Sequence, residues 1–521
     1  RSIASTQDLL HRPHMLPSAD VPFRRIRSVL GHLTAQPLSA SENSCSEVII
    51  IGAGFSGLLC AVNLNDSGIP LSDITLLEAA EDVGGVWRRN GVGHYPGAAC
   101  DVPAYTYLPL LQRIGYVPSK KFAGQDEISK YAALLADRLG ITPRVSFRTR
   151  CVCARYVGDM EEGGKDAVWA VDVDRNGKRS VMFSHHVVFA CGPISTPRLP
   201  DVKGMGEFKG KTFHTAMWDH SADLKGKRVG VVGTGASAAQ VITSICDQVQ
   251  HLHVFQRSPV WCFPRDDMPT PDALRDQFEH MPGFADDLRK DAAQFLDVDF
   301  YKELNDDEGN ARLQEVSKKF IKRSVGDAAL RKKLTPDYPF FGKRVLFIDD
   351  YYSTFNRSNV TLVADPGGVQ RETQRGLQVA AGDEYELDVI VYATGFDVLT
   401  VEFPVCGRGG RRLTDKWGAN LEKPKTVHGI HVAEFPNLYF MVGPQAFNPC
   451  INVTLVAEDQ AKYIGGLVAR MRKEKLRTVE PTLEAEEAWS RRCEESTRGK
   501  VWTKCSNWYL KSYKNGDPYY G

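Results

Sequence analysis

The sequence predicts an α/β protein with two Rossmann-like dinucleotide-binding domains, of which the second is inserted into the first. An apolar strand, a glycine-rich turn and an apolar helix follow one another near residue 50, and the same order recurs near residue 230. A further apolar strand, "ELDVIVYATGFD", follows a long charged region and runs into Gly395, where we expect the chain to return to the first domain. In such units the turn and the helix N-terminus bind phosphate groups.

The first unit, "SEVIIIGAGFSGLLCAVNL", places Gly52, Gly54 and Gly57 in GxGxxG register. Gly52 permits the tight turn, Gly54 lets the backbone approach a pyrophosphate, and Gly57 allows close packing of the helix on the strand. The next strand, "DITLLEAAE", is followed by Glu78, whose carboxylate can accept hydrogen bonds from ribose hydroxyls. We therefore predict FAD as the dinucleotide of this domain.

The second unit, "KRVGVVGTGASAAQVI", carries a GxGxxA turn. Its next strand, "HLHVFQRSP", ends in Gln256 and Arg257 rather than in an acid. An acid would repel a 2′-phosphate, whereas Arg257 and Ser258 can bind one, so NADPH is predicted here. The alternative is that Arg257 is only a solvated residue at a strand end. The residues expected to contact NADPH in this unit are Gly233, Gly235, Ser237, Gln240, Arg257 and Ser258.

These units divide the chain into predicted parts. The FAD-binding domain covers 45–207 and 386–521, and the NADPH-binding domain covers 208–385, with a charged helical insertion at about 271–334. Residues 1–44 form an N-terminal extension that is rich in Ser, Pro and Arg and poor in acids. This extension is either a surface segment or a transit peptide, so a cytoplasmic location is expected and organelle targeting stays open.

Composition excludes several classes of function. The 521 residues carry a net charge of +1. The sequence has no stripe of basic residues interleaved with aromatics, which is the pattern that binds nucleic acid. No apolar run reaches the roughly 18 residues that a transmembrane helix needs. The 12 cysteines include no CxxC pair and no metal-ligand spacing, which predicts a reducing compartment and no bound metal. A dithiol flavin reductase is disfavoured, because only Cys100 follows the "GGVW" stretch before a long gap.

The stretch Phe208-x-Gly210-xxx-His214-xxx-Trp218-Asp219 resembles the fingerprint of type I Baeyer–Villiger monooxygenases, a family of class B flavoprotein monooxygenases. "GGVWRRNGVGHYPGAACDVPAYTYLPLL" is similar to a second family motif, but it has about three extra residues between Trp87 and Tyr95. "LTPDYPFFGKRVLF", "VYATGFD", "NLYFMVGPQ" and "SNWYLKS" resemble further family segments. The resemblance covers about residues 47–509. Within the family, the sequence is similar in character to fungal enzymes that act on bulky ketones.

The resemblance implies a reaction and roles for individual residues. NADPH reduces FAD, the reduced flavin reacts with O2 to a C4a-peroxyflavin, and the peroxide attacks a ketone to give an ester or lactone. Arg344 would stabilise the anions, Asp101 would lie near the flavin and orient Arg344, and Lys343 would reach the 2′-phosphate. Further contacts implied by the family are Gly85, Trp87 and Tyr107 for FAD and Trp508 for NADP. His214 and Trp218 would hold the segment that links the two domains, and Gly210 would permit a turn.

Two other functions remain open at this point. Flavin-containing monooxygenases use the same cofactors to oxidise nitrogen or sulfur, but Arg344, Asp101 and Trp218 favour the ketone reaction. A redox-neutral protein that only binds FAD and NADP is the alternative from another class. The expected partners are O2 and a small ketone of secondary metabolism, such as a terpenoid or polyketide. The sequence leaves the ketone and the oligomeric state open, and a monomer is compatible with it.

Overall fold

The structure is a computed structural model that describes residues 33–37, 46–158, 169–398, 401–418, 423–446, 450–507, 510–512 and 518–520. Within these ranges, no helix combines the length and the apolar character needed to cross a membrane.

The strands are short, and most lie in two sheets. They are β1 (Leu33–Pro37), β2 (Ser46–Ile51), β3 (Ile74–Leu77), β4 (Val145–Ser146), β5 (Thr149–Tyr156), β6 (Trp169–Arg175), β7 (Lys178–Phe189), β8 (Thr196–Pro197), β9 (Lys211–His214), β10 (Arg228–Val232), β11 (His251–Gln256), β12 (Cys262–Phe263), β13 (Leu346–Phe347), β14 (Val360–Ala364), β15 (Val369–Glu372), β16 (Gly376–Val379), β17 (Glu384–Glu386), β18 (Val389–Tyr392), β19 (Phe396–Asp397), β20 (Val405–Cys406), β21 (Leu438–Phe440), β22 (Leu476–Pro481), β23 (Leu510–Ser512) and β24 (Pro518–Tyr520).

The helices cover the sheets and form most of the region between residues 272 and 334. The α-helices are α1 (Phe55–Asp66), α2 (Ala104–Tyr107), α3 (Leu111–Ile114), α4 (Gln125–Arg138), α5 (Ala236–Ile245), α6 (Asp272–His280), α7 (Phe284–Gln294), α8 (Tyr301–Asn305), α9 (Asp307–Ser324), α10 (Ala328–Leu334), α11 (Tyr351–Thr354), α12 (Leu413–Trp417), α13 (Val453–Glu474) and α14 (Leu483–Thr497). Phe295–Phe300 is a π-helix between α7 and α8.

The first sheet contains the first predicted nucleotide fold. Its strand order is β20-β5-β6-β7-β2-β3-β4, and β21 also pairs with β7. Strand β2 pairs in parallel with β3 and β7, while β5, β6 and β7 form an antiparallel ribbon. Helices α1 and α13 pack on one face, where a Cβ at Gly465 would lie 2.6 Å from the carbonyl oxygen of Asn63. A glycine is therefore required where these two helices meet.

The second sheet is parallel throughout, with the order β14-β11-β10-β18-β9. The predicted domain boundary at 385/386 is therefore wrong for one strand, because β18 lies between β10 and β9 in this sheet. The next strand to join the first sheet is β20, which pairs with β5. All four residues of β18 are buried, so its apolar sequence suits a central strand of either sheet, and only the pairing decides between them.

The predicted helical insertion is present, but it does not belong to one domain. Leu274 and Phe278 of α6 join the apolar core of the first domain, while Leu313 and Phe320 of α9 join the core of the second. The π-helix lies between these two groups of helices. The prediction that the whole insertion packs within the NADPH domain is thus wrong for α6 and α7.

Part of the predicted N-terminal extension lies within the described residues. Strand β1 pairs antiparallel with β22, with Leu33 opposite Pro481. The rest of 1–44 lies outside the described residues.

Candidate active site between the two nucleotide folds

The first glycine-rich turn has the close contacts that its sequence predicts. Gly52 has a φ of +108°, and a Cβ at this position would lie 2.4 Å from the carbonyl oxygen of Ala190. A Cβ at Gly57 would lie 2.0 Å from the carbonyl oxygen of Gly52, so neither position accepts a side chain without movement. Glu78 Oε2 accepts a hydrogen bond of 2.9 Å from the backbone N–H of Ala53. The strand-end carboxylate is therefore attached to the turn, and its contact with a ribose stays a prediction.

The two glycine-rich turns leave the N-termini of α1 and α5 open to an anion. Gly54 and Gly235 are the N-cap residues, and among the described residues no side chain caps either helix and neither has an acid in its first turn. A Cβ at Gly235 would meet no atom within 4 Å. The unpaired N–H groups at a helix N-terminus favour a negative charge. These residues therefore fit the pyrophosphate groups of FAD and NADPH.

The predicted flavin contacts lie close to one another. A Cβ at Gly85 would lie 3.0 Å from Cα of Gly54, so the "GGVW" stretch packs directly on the first turn. Trp87 Nε1 donates a hydrogen bond of 2.7 Å to the Tyr107 hydroxyl, and their ring centroids are 6.0 Å apart. Tyr107 is buried, which raises its pKa well above the usual range. Both rings are thus held rigidly beside the first nucleotide fold.

The residues predicted to bind the 2′-phosphate lie along the end of β11. Arg257 is exposed. Its side chain lies close to Gly368, because a Cβ added at Gly368 would be 3.7 Å from the Arg257 side chain. Lys343 Nζ lies 4.9 Å from the ring centroid of Tyr338, whose hydroxyl donates to the Pro259 carbonyl at 2.8 Å. Tyr338 thereby connects the Lys343 loop to the residue after Ser258. Contact of these cations with a phosphate stays a prediction.

Arg344 and Asp101 form the ion pair that the family resemblance implies. Arg344 Nη2 donates to Asp101 Oδ2 at 2.7 Å, across 243 residues of sequence. The side chains are 37% and 18% exposed, so the pair is half-buried and partly screened by solvent. Burial raises the pKa of the neighbouring Cys100 thiol, which favours its neutral form.

Gln240 has contacts with the first domain that the sequence did not predict. Its Nε2 donates to the Ala99 carbonyl at 2.8 Å, and its Oε1 accepts from the Tyr95 hydroxyl at 3.0 Å. Both ends of the amide therefore bind the first domain, and a contact of Gln240 with the nucleotide stays a prediction. Ser237 also hydrogen-bonds Tyr95. No local spacing indicates this contact, because it depends on how the loop before Asp101 packs against α5.

The fingerprint begins as part of the second domain rather than as a separate linker. Phe208 is buried in an apolar cluster with Phe255 and Tyr392, and Lys211–His214 is the edge strand β9. A Cβ at Gly210 would lie 2.4 Å from the Asp388 carbonyl oxygen and 2.5 Å from the Phe208 ring. Gly210 thus lies in the bend directly before β9, at a position where a side chain would collide with its neighbours.

The other two fingerprint residues follow this strand. His214 is 1% exposed, and its Nδ1 accepts a hydrogen bond of 3.0 Å from the backbone N–H of Ala216. Burial lowers the pKa of His214, and the Gly395 backbone offsets part of this effect. Trp218 packs edge-to-face on Phe213 at 4.9 Å, against the core of the second domain. A role for His214 and Trp218 in domain coupling stays a prediction.

The extra residues before Tyr95 contact the end of the fingerprint. The His94 and His220 rings lie 4.2 Å apart, beside a cleft of about 390 Å³ that Asp126 also lines. Burial lowers the pKa of His94, and the adjacent His220 adds to this effect. The insertion therefore shapes the boundary between the domains.

Two further predictions concern Trp508 and the absence of a bound metal. Trp508 lies outside the described residues. In the described ranges, no group of three or more His, Cys, Asp or Glu side chains is arranged to hold a metal ion.

Comparison with known proteins identifies relatives over nearly the whole chain. The flavin-binding monooxygenase-like family matches residues 45–270. A Baeyer–Villiger monooxygenase of Streptomyces coelicolor is 34% identical over 89% of this chain and 86% of its own length. The 2-oxo-Δ3-4,5,5-trimethylcyclopentenylacetyl-CoA monooxygenase of Pseudomonas putida is 32% identical over 92% and 93%. The Baeyer–Villiger monooxygenase ATR8 of Stachybotrys chlorohalonatus, a fungus, is 33% identical over 91% and 78%.

A solved structure has the same fold. The crystal structure of OTEMO in complex with FAD and NADP superposes with a TM-score of 0.79 and 29% identity, over 92% of this chain and 94% of that one. The identity over most of the chain, together with two open nucleotide cradles and an arginine–aspartate pair beside them, shows that this protein belongs to the Baeyer–Villiger monooxygenase family of flavoproteins.

Proposed function

We propose that this protein uses FAD and NADPH to convert a ketone into an ester or lactone. One oxygen atom of O2 is inserted between the carbonyl carbon and a neighbouring carbon. The ketone, O2, NADPH and a proton give the ester, NADP+ and water. One carbon–carbon bond is broken and two carbon–oxygen bonds are formed, and NADPH supplies the two electrons that reduce the second oxygen atom.

The observation that carries this proposal is the ion pair between Arg344 and Asp101. Asp101 lies after a loop that packs on the first nucleotide fold. Arg344 lies after a segment that packs on the second nucleotide fold. A guanidinium stays charged at all relevant pH values and donates hydrogen bonds in a fixed plane. The 2.7 Å contact with Asp101 orients this plane. A permanent and oriented cation is what the ketone reaction needs.

The residues of this chain supply binding, orientation and charge. When bound, FAD supplies the redox chemistry that activates O2. The glycine-rich turns at Gly52 and Gly233 and the N-termini of α1 and α5 hold the two dinucleotides. Arg344 stabilises the oxyanion that forms when an oxygen nucleophile adds to the ketone carbonyl. Asp101 keeps Arg344 in place, and Arg257, Ser258 and Lys343 select NADPH.

The proposed substrate class rests on the relatives rather than on residues of the site. The relative from Pseudomonas putida is named for a cyclic 2-oxo compound, and a fungal relative covers most of this chain. These names support a bulky or cyclic ketone of secondary metabolism. The competing reaction, oxidation of nitrogen or sulfur, does not need a cation that stabilises an oxyanion.

Replacing Arg344 tests the proposal. Arg344→Ala should retain FAD and should still be reduced by NADPH, but ester formation should fall by about 10²–10³-fold, as for removal of an oxyanion donor. Arg344→Lys keeps the positive charge but lacks the planar guanidinium, so it should recover only part of the ester yield. The measurements are flavin absorbance under anaerobic NADPH and the ester yield from a panel of cyclic ketones.

Arg148→Ala is a suitable control, because within the described part of the chain the Arg148 side chain forms one ion pair, an exposed one with Glu81. A normal ester yield from Arg344→Ala would contradict the assigned role. Oxidation of sulfides and amines by the wild-type protein, with no ester from any ketone, would instead support the competing reaction.

A further inference from the structure

The loop from Tyr95 to Asp101 is attached to α5 of the second domain at three points. Gln240 accepts a hydrogen bond from the Tyr95 hydroxyl at 3.0 Å and donates one to the Ala99 carbonyl at 2.8 Å. Between these two contacts, a Cβ at Gly97 would lie 2.1 Å from Ser244 Oγ and 2.6 Å from the Gln240 carbonyl oxygen. The loop therefore lies directly against the helix at Gly97, where there is no space for a side chain.

The same loop is attached to the first domain on its other side. The Cys100 N–H donates to the Ala123 carbonyl at 3.0 Å, and the Gln125 N–H donates to the Ala98 carbonyl at 2.9 Å. Ala99 and Gly124 also form an isolated antiparallel bridge. Asp101 follows directly after these contacts. Its position is therefore set by backbone hydrogen bonds within the first domain and by the Gln240 side chain from the second.

We propose that Gln240 and Tyr95 are positioning residues that hold Asp101, and through it Arg344, in register with the second nucleotide fold. The inference rests on the proposed function of the ion pair. Helix α5 begins at the open N-terminus that fits the pyrophosphate of NADPH. Any shift of this helix relative to the first domain is passed through the Gln240 amide to the backbone two residues before Asp101.

The competing explanation is that Gln240 contacts the nucleotide, as its place after the glycine-rich turn predicts. One N–H of its amide donates to the Ala99 carbonyl, and its oxygen accepts from the Tyr95 hydroxyl, so both ends of the amide hold the loop. Burial also raises the pKa of Tyr95 to about 12, so its hydroxyl remains a hydrogen-bond donor throughout the neutral range. The two explanations differ in which measured quantity changes when the amide is removed.

Gln240→Met tests this proposal, because methionine keeps the length of the side chain and removes both hydrogen bonds. Tyr95→Phe removes one of them and keeps the ring, so it remains informative if Gln240→Met does not fold. Thr243→Val is the matched control on the same helix, since the Thr243 hydroxyl bonds only to the Ala239 and Gln240 carbonyls within α5. Three quantities are measured for each variant.

The first quantity is coupling, the fraction of NADPH oxidised that appears as ester rather than hydrogen peroxide. It should fall by about tenfold in Gln240→Met and less in Tyr95→Phe, the range expected for one or two lost hydrogen bonds. The second is the Kd of NADP+, which should stay within about twofold of wild type if the amide holds the loop and does not bind the nucleotide. Weaker NADP+ binding with unchanged coupling would overturn the proposal.

The third quantity does not depend on activity. Cys100 lies beside Asp101 and is only 5% exposed, so its alkylation requires the loop to open. In the FAD-free protein, its labelling rate by mass spectrometry should rise in Gln240→Met and Tyr95→Phe but not in Thr243→Val. An unchanged rate in both variants would contradict the proposal. If the wild-type protein forms no ester, the proposed function fails, whereas this labelling result still decides whether Gln240 holds the loop.

Discussion

At the residue scale, two strand-end side chains carry the prediction of which cofactor each fold binds. Glu78 follows β3, and its carboxylate accepts a hydrogen bond from the backbone of the first glycine-rich turn. Arg257 occupies the corresponding place after β11 and is exposed. We expect the acid to bind the ribose hydroxyls of FAD and the arginine to bind the 2′-phosphate of NADPH.

We expect Arg257→Ala to weaken the preference for NADPH over NADH. The KM for NADPH should rise by about 10- to 100-fold, because a hydrogen bond to a charged group contributes about 1.5–3 kcal/mol. The KM for NADH and the thermal midpoint should not change. Arg371→Ala, which alters another exposed arginine of the same domain, is the control in steady-state assays with both nucleotides. Equal loss with NADH and NADPH would mean that Arg257 does not recognise the 2′-phosphate.

At the element scale, helix α7 attaches the helical insertion to the first domain. Arg289 Nη2 donates to Glu458 Oε2 of α13 at 2.8 Å, and its Nη1 donates to the carbonyls of Thr106 and Leu108. The side chains of the pair are 5% and 13% exposed. Burial opposes the charge on Glu458, but Arg289 and Lys462 outweigh this and lower its pKa. The pair therefore connects α7, the Tyr107 segment and α13.

Arg289→Met should destabilise the first domain by about 3–5 kcal/mol, the usual cost of leaving one partner of a buried pair unpaired. The free energy of unfolding in urea and the retention of FAD are the measurements. Lys290→Met is the control, because Lys290 is the next residue on α7 and pairs only with Asp287 at the surface. The double variant Arg289→Met/Glu458→Met should be more stable than Arg289→Met. A loss of less than about 1 kcal/mol would indicate a solvated pair.

At the scale of the whole molecule, buried histidines make the fold sensitive to acid. His186 Nδ1 lies 3.1 Å from the Tyr439 hydroxyl, and His431 Nε2 lies 2.9 Å from that of Tyr463. Burial lowers the pKa of both from 6.5 to about 3, with smaller contributions from His185 and His428. The folded protein therefore keeps both imidazoles neutral at a pH where the unfolded chain is protonated.

The sign of the pH dependence follows from these lowered pKa values. Stability is complete above pH 6.5 and falls as the pH decreases towards about 3, because the unfolded chain binds the additional protons. Each histidine should contribute a slope of about 1.4 kcal/mol per pH unit within this window. His431→Gln should lower the slope of stability against pH by this one contribution, measured by urea unfolding at pH 7 and pH 5. His280→Gln, at an exposed position, should leave the slope unchanged, and an unchanged slope in His431→Gln would contradict the assignment.

Much of the candidate site could be predicted because neighbouring residues encode it. The glycine spacing and the strand-end Glu78 and Arg257 come from short motifs, whereas the pairing of Arg344 with Asp101 was implied only by the family resemblance. Each motif specifies backbone conformation or charge over a few residues, and this local geometry changes little with its surroundings. The two nucleotide folds and the family were recognisable for the same reason.

Only the tertiary structure decided which distant surfaces meet. The sequence by itself determined the two cofactor folds and the fingerprint, and its family resemblance implied the ion pair. The packing determined that β18 joins the second sheet, that α6 and α7 join the first core, and that Gln240 binds residues 141 and 145 positions away. An apolar strand can pair with many other strands, and a polar side chain can hydrogen-bond to many groups. The partner that each one takes depends on which surfaces, distant in sequence, become adjacent when both domains fold.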